Sequence, residues 1–566
     1  MKILRAWLIA ICLSSIALSA VSDLDSKITE FAHSPEWLGH FFYDGDRAGY
    51  TSLIESNHYF FSSTGKYNPE DELKETVRRL SASEEIPQEE YCHFVGRYEL
   101  ALSVFPQFRK PSHQCKAFEE WSQKLALDSV RLSFATGYIK NPASSFGHLF
   151  LKLISRNQNS DLLNYGINFS AQTGVDSGAL YALKGLFGQY PGGFVFLPYH
   201  QLIKDYSDLE GRDIWELDLE FDDIAKRRLL LFIYEFDSNY VDYTFLNNNC
   251  AGILERLIDY VQRRPEKTSL QMKPWTMPLE SFLNISSAMK DKKYFYRPSL
   301  KTQLLQMDDR LSEKQKLQIR GEVKLGNYNG LDARSLDYVI LDKKINEPKL
   351  DENQYLKLLT IRSRLPIDTE TSEQAKTLPE SKVDDRSRTS SLGIVGNKEG
   401  PGLDLNLLNE KLIYRHSLSE INVFNLHFRM DQERKPVLAE VEIFNFLAGE
   451  AVSFLRAPIS YGGGLFYRNK RELVLEASAG YMLNLKDWLY FPRLHFVGDK
   501  FQTELRPEVD VFYFSHNANL KLNIQPREFG IEAFRFIKMN YSIRLNSAYD
   551  TLNKENKILA GVSYFY

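Results

Sequence analysis

From about residue 388 onward the chain alternates apolar and polar side chains. In "RELVLEASAGYMLNL", Leu473, Leu475, Ala477, Ala479, Tyr481 and Leu483 share one face, with Glu472, Glu476 and Ser478 on the other. "MNYSIRLN" sets Met539, Tyr541, Ile543 and Leu545 against Asn540, Ser542, Arg544 and Asn546, and "NLKLNIQ" repeats the pattern with Leu520, Leu522 and Ile524. A period of two predicts β-strands with one apolar and one polar face. Roughly ten to twelve such segments fill residues 388–566, within the even-numbered range of closed membrane barrels with lipid outside and water within. A soluble sandwich, with apolar faces packed on each other, permits the same alternation. Strand length and the terminal "VSYFY" favour the barrel.

Upstream the period changes. Residues 21–125 read as helical and irregular, as in "PEDELKETVRRLSAS". Residues 126–290 alternate strand-like runs ("HLFLKLI", "LLNYGINFSA", "GGFVFLPYH", "DIWELDLEF") with two helices, "FDDIAKRRLLLFIYEFDS" and one after Cys250. That mixture predicts a compact α+β domain. Residues 291–387 are charged and mostly helical, and end in a polar, apolar-poor linker.

The two ends bear on location. Residues 1–20, "MKILRAWLIAICLSSIALSA", carry Lys2 and Arg5, a short apolar run and small residues suited to cleavage, the pattern of a secretory signal peptide. Ile558, Ala560, Val562, Tyr564 and Tyr566 form one face of a last strand with an aromatic terminus. This is similar to the closing strand of bacterial outer-membrane barrels. The expected location is therefore the outer membrane of a Gram-negative-type envelope, with the α+β domain in the periplasm. A net charge of -4, with scattered basic residues, argues against a nucleic-acid partner. Aromatic residues at 13% suit strands that meet a membrane interface.

Three cysteines follow the leader. Cys92 and Cys115 lie close together in one domain, and an oxidising periplasm favours a disulfide between them. Closing that loop stabilises the fold by roughly 3 kcal/mol in the chain-entropy model. Cys250 remains, in "YTFLNNNCAGILERLIDYVQRRP". Asn247 to Asn249 offer capping side chains, Leu254, Leu257, Ile258 and Val261 recur on one helix face, and Pro265 marks a stop. Cys250 is thus expected in the first turn of a helix, where the dipole and open N–H groups stabilise a thiolate. The backbone of Asn249, Cys250 and Ala251 is the candidate oxyanion site. A buried structural cysteine is the competing reading.

A thiolate nucleophile needs a base. His416, His427, His495 and His516 fall in the barrel, and His33, His40, His58, His93 and His113 in loop-rich sequence without a partner pattern. His200 follows "FVFLPY" and is a weaker candidate. His148 begins a strand in "NPASSFGHLFLKLI", after a glycine that permits close approach. With Leu149, Leu151 and Leu153 on the core face, His148 and Phe150 are expected on the other.

"SSFGHLFLKL", "LLNYGINFSA" and "YTFLNNNCAGIL", in that order, resemble the Lnb N-terminal periplasmic domain family over roughly residues 85–290. "YCHFVGRYEL" and "HQCKAF" are similar to the cysteine-containing region that precedes this domain. The resemblance implies a permuted papain- or NlpC-like α+β thiol domain. It also implies transfer of an acyl chain from a phospholipid to an amine, such as a lipoprotein N-terminus, with His148 as base and Cys250 as nucleophile. Asn164 or Asn168 could orient the imidazole, and both also suit turn or edge positions. Two alternatives stay open: a cysteine peptidase or amidase on peptidoglycan peptides, and a non-catalytic barrel-anchored envelope protein. No cofactor or metal is expected, since HExxH, CxxC, GxSxG and Walker-type motifs are missing from the sequence.

Overall fold

The computed structural model describes residues 23–46, 48–82, 84–108, 114–137, 146–173, 184–185, 188–263, 275–347, 351–366, 389–398, 400–414, 417–431, 433–450, 453–468, 472–485, 488–500, 502–514, 518–526, 528–538, 541–550 and 555–565. The leader, Pro265, most of the polar linker, His113, His416, His516, Met539 and Tyr566 lie outside them. Two compact units divide the chain: Met1–Leu132, Leu149–His200 and Asp218–Thr276 form the first, and Ser133–His148, Gln201–Leu217 and Met277–Tyr566 the second.

In the first unit, local sequence explains the helix starts. Asn68 accepts the N–H groups of Glu70 and Asp71 ahead of the helix Pro69–Ser81, which has proline at its first position. Asp222 does the same for Asp223–Glu235 through the N–H of Ala225. Cys92 and Cys115 form a disulfide across 23 residues. The expected helical N-terminal region also contains a hairpin, Tyr43–Asp46 with Gly49–Ser52. A sheet has the strand order Val241–Tyr243, Tyr190–Pro198, Tyr165–Ala171, His148–Ser155, Leu127–Ala135, with the ends Ser133–Ala135 and His148 assigned to the second unit.

One strand departs from expectation. Leu149, Leu151 and Leu153 are buried as foreseen, but so are Phe150 and Lys152 on the opposite face. The strand is internal to the sheet and covered on both sides. Lys152 pairs there with Asp161 at 2.7 Å and lies over the ring of Tyr199.

The second unit contains Ile214–Leu217 paired antiparallel with Tyr294–Arg297, a helical body and the barrel. The helices Leu300–Arg310, Glu313–Leu325, Ala333–Asn346 and Glu352–Ser363 start on Ser299, Ser312, Asp332 and Asp351, each of which caps with its side chain. They share a core of Leu304, Ile319, Leu336, Val339 and Leu358. This part of the chain is a folded body ahead of the linker.

Among the described residues twelve strands close into a ring. They run from Ser391–Asn397 to Glu555–Phe565, and Ser391–Gly396 pairs antiparallel with Ala560–Phe565 to seal it. Burial is inverted relative to a soluble protein, which excludes the sandwich. Ile394 is 65% exposed on the outside, and Leu473, Leu475, Ile543 and Val562 are each about half exposed there, whereas Asp510 is 0% exposed within. Arg493 reaches both Glu508 (2.9 Å) and Asp510 (2.8 Å), and Arg468 bridges Glu440 and Glu476, each at 2.7 Å. No described helix is long and apolar enough to cross a membrane, which does not bear on crossing by strands.

Candidate functional site

The helix Cys250–Gln262 begins on Asn249, the one of the three asparagines that caps it. Asn249 Oδ1 accepts the N–H of Ala251 at 2.9 Å and of Gly252 at 3.0 Å. Its Nδ2 donates to the carbonyls of Phe245 (3.0 Å) and Thr276 (2.7 Å). The amide is therefore engaged at both ends and clamps three chain segments around the first turn. The N–H of Ala251, expected at an oxyanion site, is committed to this cap. Gly252 is required by packing, because a Cβ there would sit 2.0 Å from the carbonyl oxygen of Asn247. Nothing in the helical pattern marked it.

Cys250 carries its thiol at the first helical position and is 3% exposed. Leu254, Leu257, Ile258 and Val261 are buried, as their spacing predicts, and the helix packs against Tyr165–Ala171. It ends at Arg263, whose left-handed backbone (φ 52°) returns its N–H to the carbonyls of Asp259 and Tyr260.

The two candidate orienting asparagines differ. Asn164 precedes the strand rather than lying in it. Its Oδ1 accepts the N–H of Ser155 at 3.0 Å, and its Nδ2 donates to the carbonyl of Asp161 at 3.1 Å. Those are turn contacts. Asn168 is buried mid-strand, in register with Phe150 and Val195.

His148 belongs to the second unit and opens its strand half-buried. Its ring lies 5.2 Å from that of Tyr206, at 32°. Tyr206 sits in a π-helical stretch, Ile203–Leu209, a geometry often found at functional sites. The guanidinium of Arg212 lies 5.0 Å from the Tyr206 ring and donates through Nη2 to the carbonyl of Ala135. Before His148, Gly147 adopts φ +89°, and a Cβ there would meet Phe134 at 2.4 Å. His200 is exposed.

Sequence reading missed a charge network in the first unit. His40, expected in loop sequence without partners, ends the helix Pro35–His40 and is buried. Its Nδ1 meets Tyr260 Oη at 2.9 Å and its Nε2 meets Glu235 Oε1 at 3.2 Å. Arg97 donates to Glu235 (2.7 Å), Glu72 (2.8 Å) and the carbonyl of Tyr59. Burial alone would raise the Glu235 carboxyl, but Arg97 and His40 outweigh it and hold the group down at about 2. Glu72, in contrast, is pushed up by burial. Tyr260 lies on the Cys250 helix, so this network secures the far end of that helix.

A cavity of about 610 Å³ in the first unit is lined by Tyr190, Phe194, Asp237, Asn239 and Asp242, among others.

A closed barrel with an apolar exterior defines the class: a membrane protein of the outer-membrane barrel type. Residues 117–285 match the Lnb N-terminal periplasmic domain, and residues 29–101 match a domain of unknown function (DUF7843). No curated protein matches the chain. Among solved structures, the KdgM porin is similar with a TM-score of 0.22 at 8% identity, over 31% of this chain and 98% of that one. The Salmonella typhi outer membrane phospholipase (OMPLA) dimer with bound calcium gives 0.23 at 10% identity, over 31% and 90%. Likenesses this remote carry no weight of their own, and the barrel rests on ring closure and inverted burial. A barrel of this type joined to a periplasmic-domain match is the arrangement of an outer-membrane envelope protein with a periplasmic part.

Proposed function

We propose that the protein is a thiol-dependent acyltransferase at the periplasmic face of the outer membrane. The observation that carries this reading is the Cys250 thiol at the first position of a side-chain-capped helix, inside the stretch that matches the Lnb domain. The positive end of that helix favours the thiolate. His148 is the proposed base and takes the thiol proton. Cys250 Sγ then attacks a phospholipid ester carbonyl. Collapse of the tetrahedral intermediate forms a thioester, and the departing lysophospholipid alkoxide takes the proton back. An amine acceptor, such as a lipoprotein N-terminus, next attacks the thioester, receives the acyl chain and regenerates the thiol. Asn164 or Asn168 is the proposed orienting residue.

Mass spectrometry of the full-length protein from its own envelope tests this. The wild type should carry a hydroxylamine-labile acyl adduct on the peptide containing Cys250, and lysophospholipid should accumulate with it. Cys250→Ala should abolish both, and His148→Ala should lower adduct formation by 10²-fold or more. Unchanged lysophospholipid release and acceptor acylation in Cys250→Ala would overturn the proposal. Thiol-dependent release of muropeptides instead would point to an amidase.

A further inference from the structure

The helix Glu313–Leu325 buries Ile319 in the core of the helical body and packs Val323 against it. Its other face is unusual for a water-exposed helix. Leu317 is 65% exposed and Leu325 78%, and between them a Cβ on Gly321 would meet nothing within 4 Å. Positions 317, 321 and 325 are successive i, i+4 neighbours, so they form one open stripe. Lys314 and Lys324 are exposed beside it. Leu356 and Leu359, on Glu352–Ser363 of the same body, are exposed as well.

The same helix is tied to the barrel. Arg320 donates through Nε (3.1 Å) and Nη2 (2.9 Å) to the carbonyl of Phe454, in the connection between two barrel strands. The N–H of Phe454 donates to Asp308 (3.2 Å), its ring packs on Tyr338, and Arg456 bonds Asp342. The next strand opens at Ile459, which is 61% exposed on the apolar exterior. The five Cα–Cα steps from Phe454 to Ile459 span at most about 18 Å. The leucine stripe, one turn from Arg320, therefore lies within a short reach of the rim of the lipid-facing band.

We infer that the helix Glu313–Leu325 rests on the membrane that holds the barrel. Leu317 and Leu325 enter the boundary between headgroups and acyl chains of the nearer leaflet, and Lys314 and Lys324 lie among the lipid phosphates. An interfacial helix needs an apolar face flanked by cations, and this one has both. The occupant is a phospholipid surface because the stripe continues an apolar band that already faces lipid. The inference rests on the barrel alone and is independent of the thiol chemistry.

Photocrosslinking of the full-length protein in its own outer membranes tests it. p-Benzoylphenylalanine is placed singly as Leu317→p-benzoylphenylalanine, Leu325→p-benzoylphenylalanine, Ile459→p-benzoylphenylalanine in the barrel, or Asn329→p-benzoylphenylalanine on the exposed surface of the same body. Each variant is first checked for heat-modifiable migration, which reports an intact barrel. After irradiation, phospholipid adducts should appear at 317, 325 and 459, at least several-fold above 329. Adducts at 459 with none at 317 and 325 would overturn the inference, as would crosslinks from 317 and 325 to a protein instead of lipid.

Discussion

Arg97 and Glu235 meet fully buried, with the guanidinium Nε donating to the carboxylate at 2.7 Å. Arg97 lies within the 29–101 match and Glu235 within the 117–285 match, so the pair joins the two recognisable segments of the first unit. Removing one partner strands the other's charge. Arg97→Leu should destabilise the protein by about 3–5 kcal/mol, and adding Glu235→Leu should recover part of that loss. Denaturant titration of the full-length protein in detergent, followed by tryptophan fluorescence, measures both.

The depressed Glu235 carboxyl makes a pH prediction with a definite sign. Its folded value of about 2 lies below the ordinary 4.5, so its stabilisation is present above 4.5 and is lost as pH falls through 2. Glu72, pushed up by burial, works in the opposite sense. The difference between wild type and Glu235→Gln isolates the term. The wild-type advantage in melting temperature should be full at pH 6 and shrink steadily between pH 4.5 and 2. An advantage that is flat across this window would contradict the assignment.

Asn249 satisfies two N–H groups and two carbonyls at once. Asn249→Ala loses the cap and leaves buried groups unpaired, a cost of about 2–4 kcal/mol. Asn249→Asp keeps the acceptor but turns a carboxylate toward the Phe245 and Thr276 carbonyls, so it should fail to restore stability. Hydrogen exchange should show faster opening of the first turn around Cys250 in both variants.

Two helical glycines should respond oppositely to alanine. At Gly252 the added methyl meets the Asn247 carbonyl, so Gly252→Ala should be destabilising despite a propensity gain of about 1 kcal/mol. At Gly321 the space is open, and Gly321→Ala should stabilise by roughly 0.5–1 kcal/mol. The difference in unfolding midpoint between the two variants is the measurement.

Phe454 and Arg456 hold the helical body to the barrel. Phe454→Ala combined with Arg456→Ala should expose the helices Leu300–Arg310 to Ser363 to limited proteolysis several-fold faster. Heat-modifiable migration of the barrel should persist. Loss of both properties together would show that the barrel depends on the helical body.

Local patterns were legible in the sequence because their causes are local. A period of two places Leu473 and Leu475 on one face and Glu476 on the other, whatever the strand pairs with. The same holds for the apolar face of the Cys250 helix. Cys92 and Cys115 were paired by short separation and an oxidising compartment. Alternation did not decide between sandwich and barrel, since both hide or expose alternate faces. Closure through Ser391–Gly396 and Ala560–Phe565, with charges inside, decided that. Three adjacent asparagines looked equivalent as caps, and only the positions of the Phe245 and Thr276 carbonyls select Asn249. His40 looked partnerless because its partners, Glu235 and Tyr260, lie 195 and 220 residues away. Such a network has no periodicity to read: its members need only meet in space, and burial then makes their charges depend on one another.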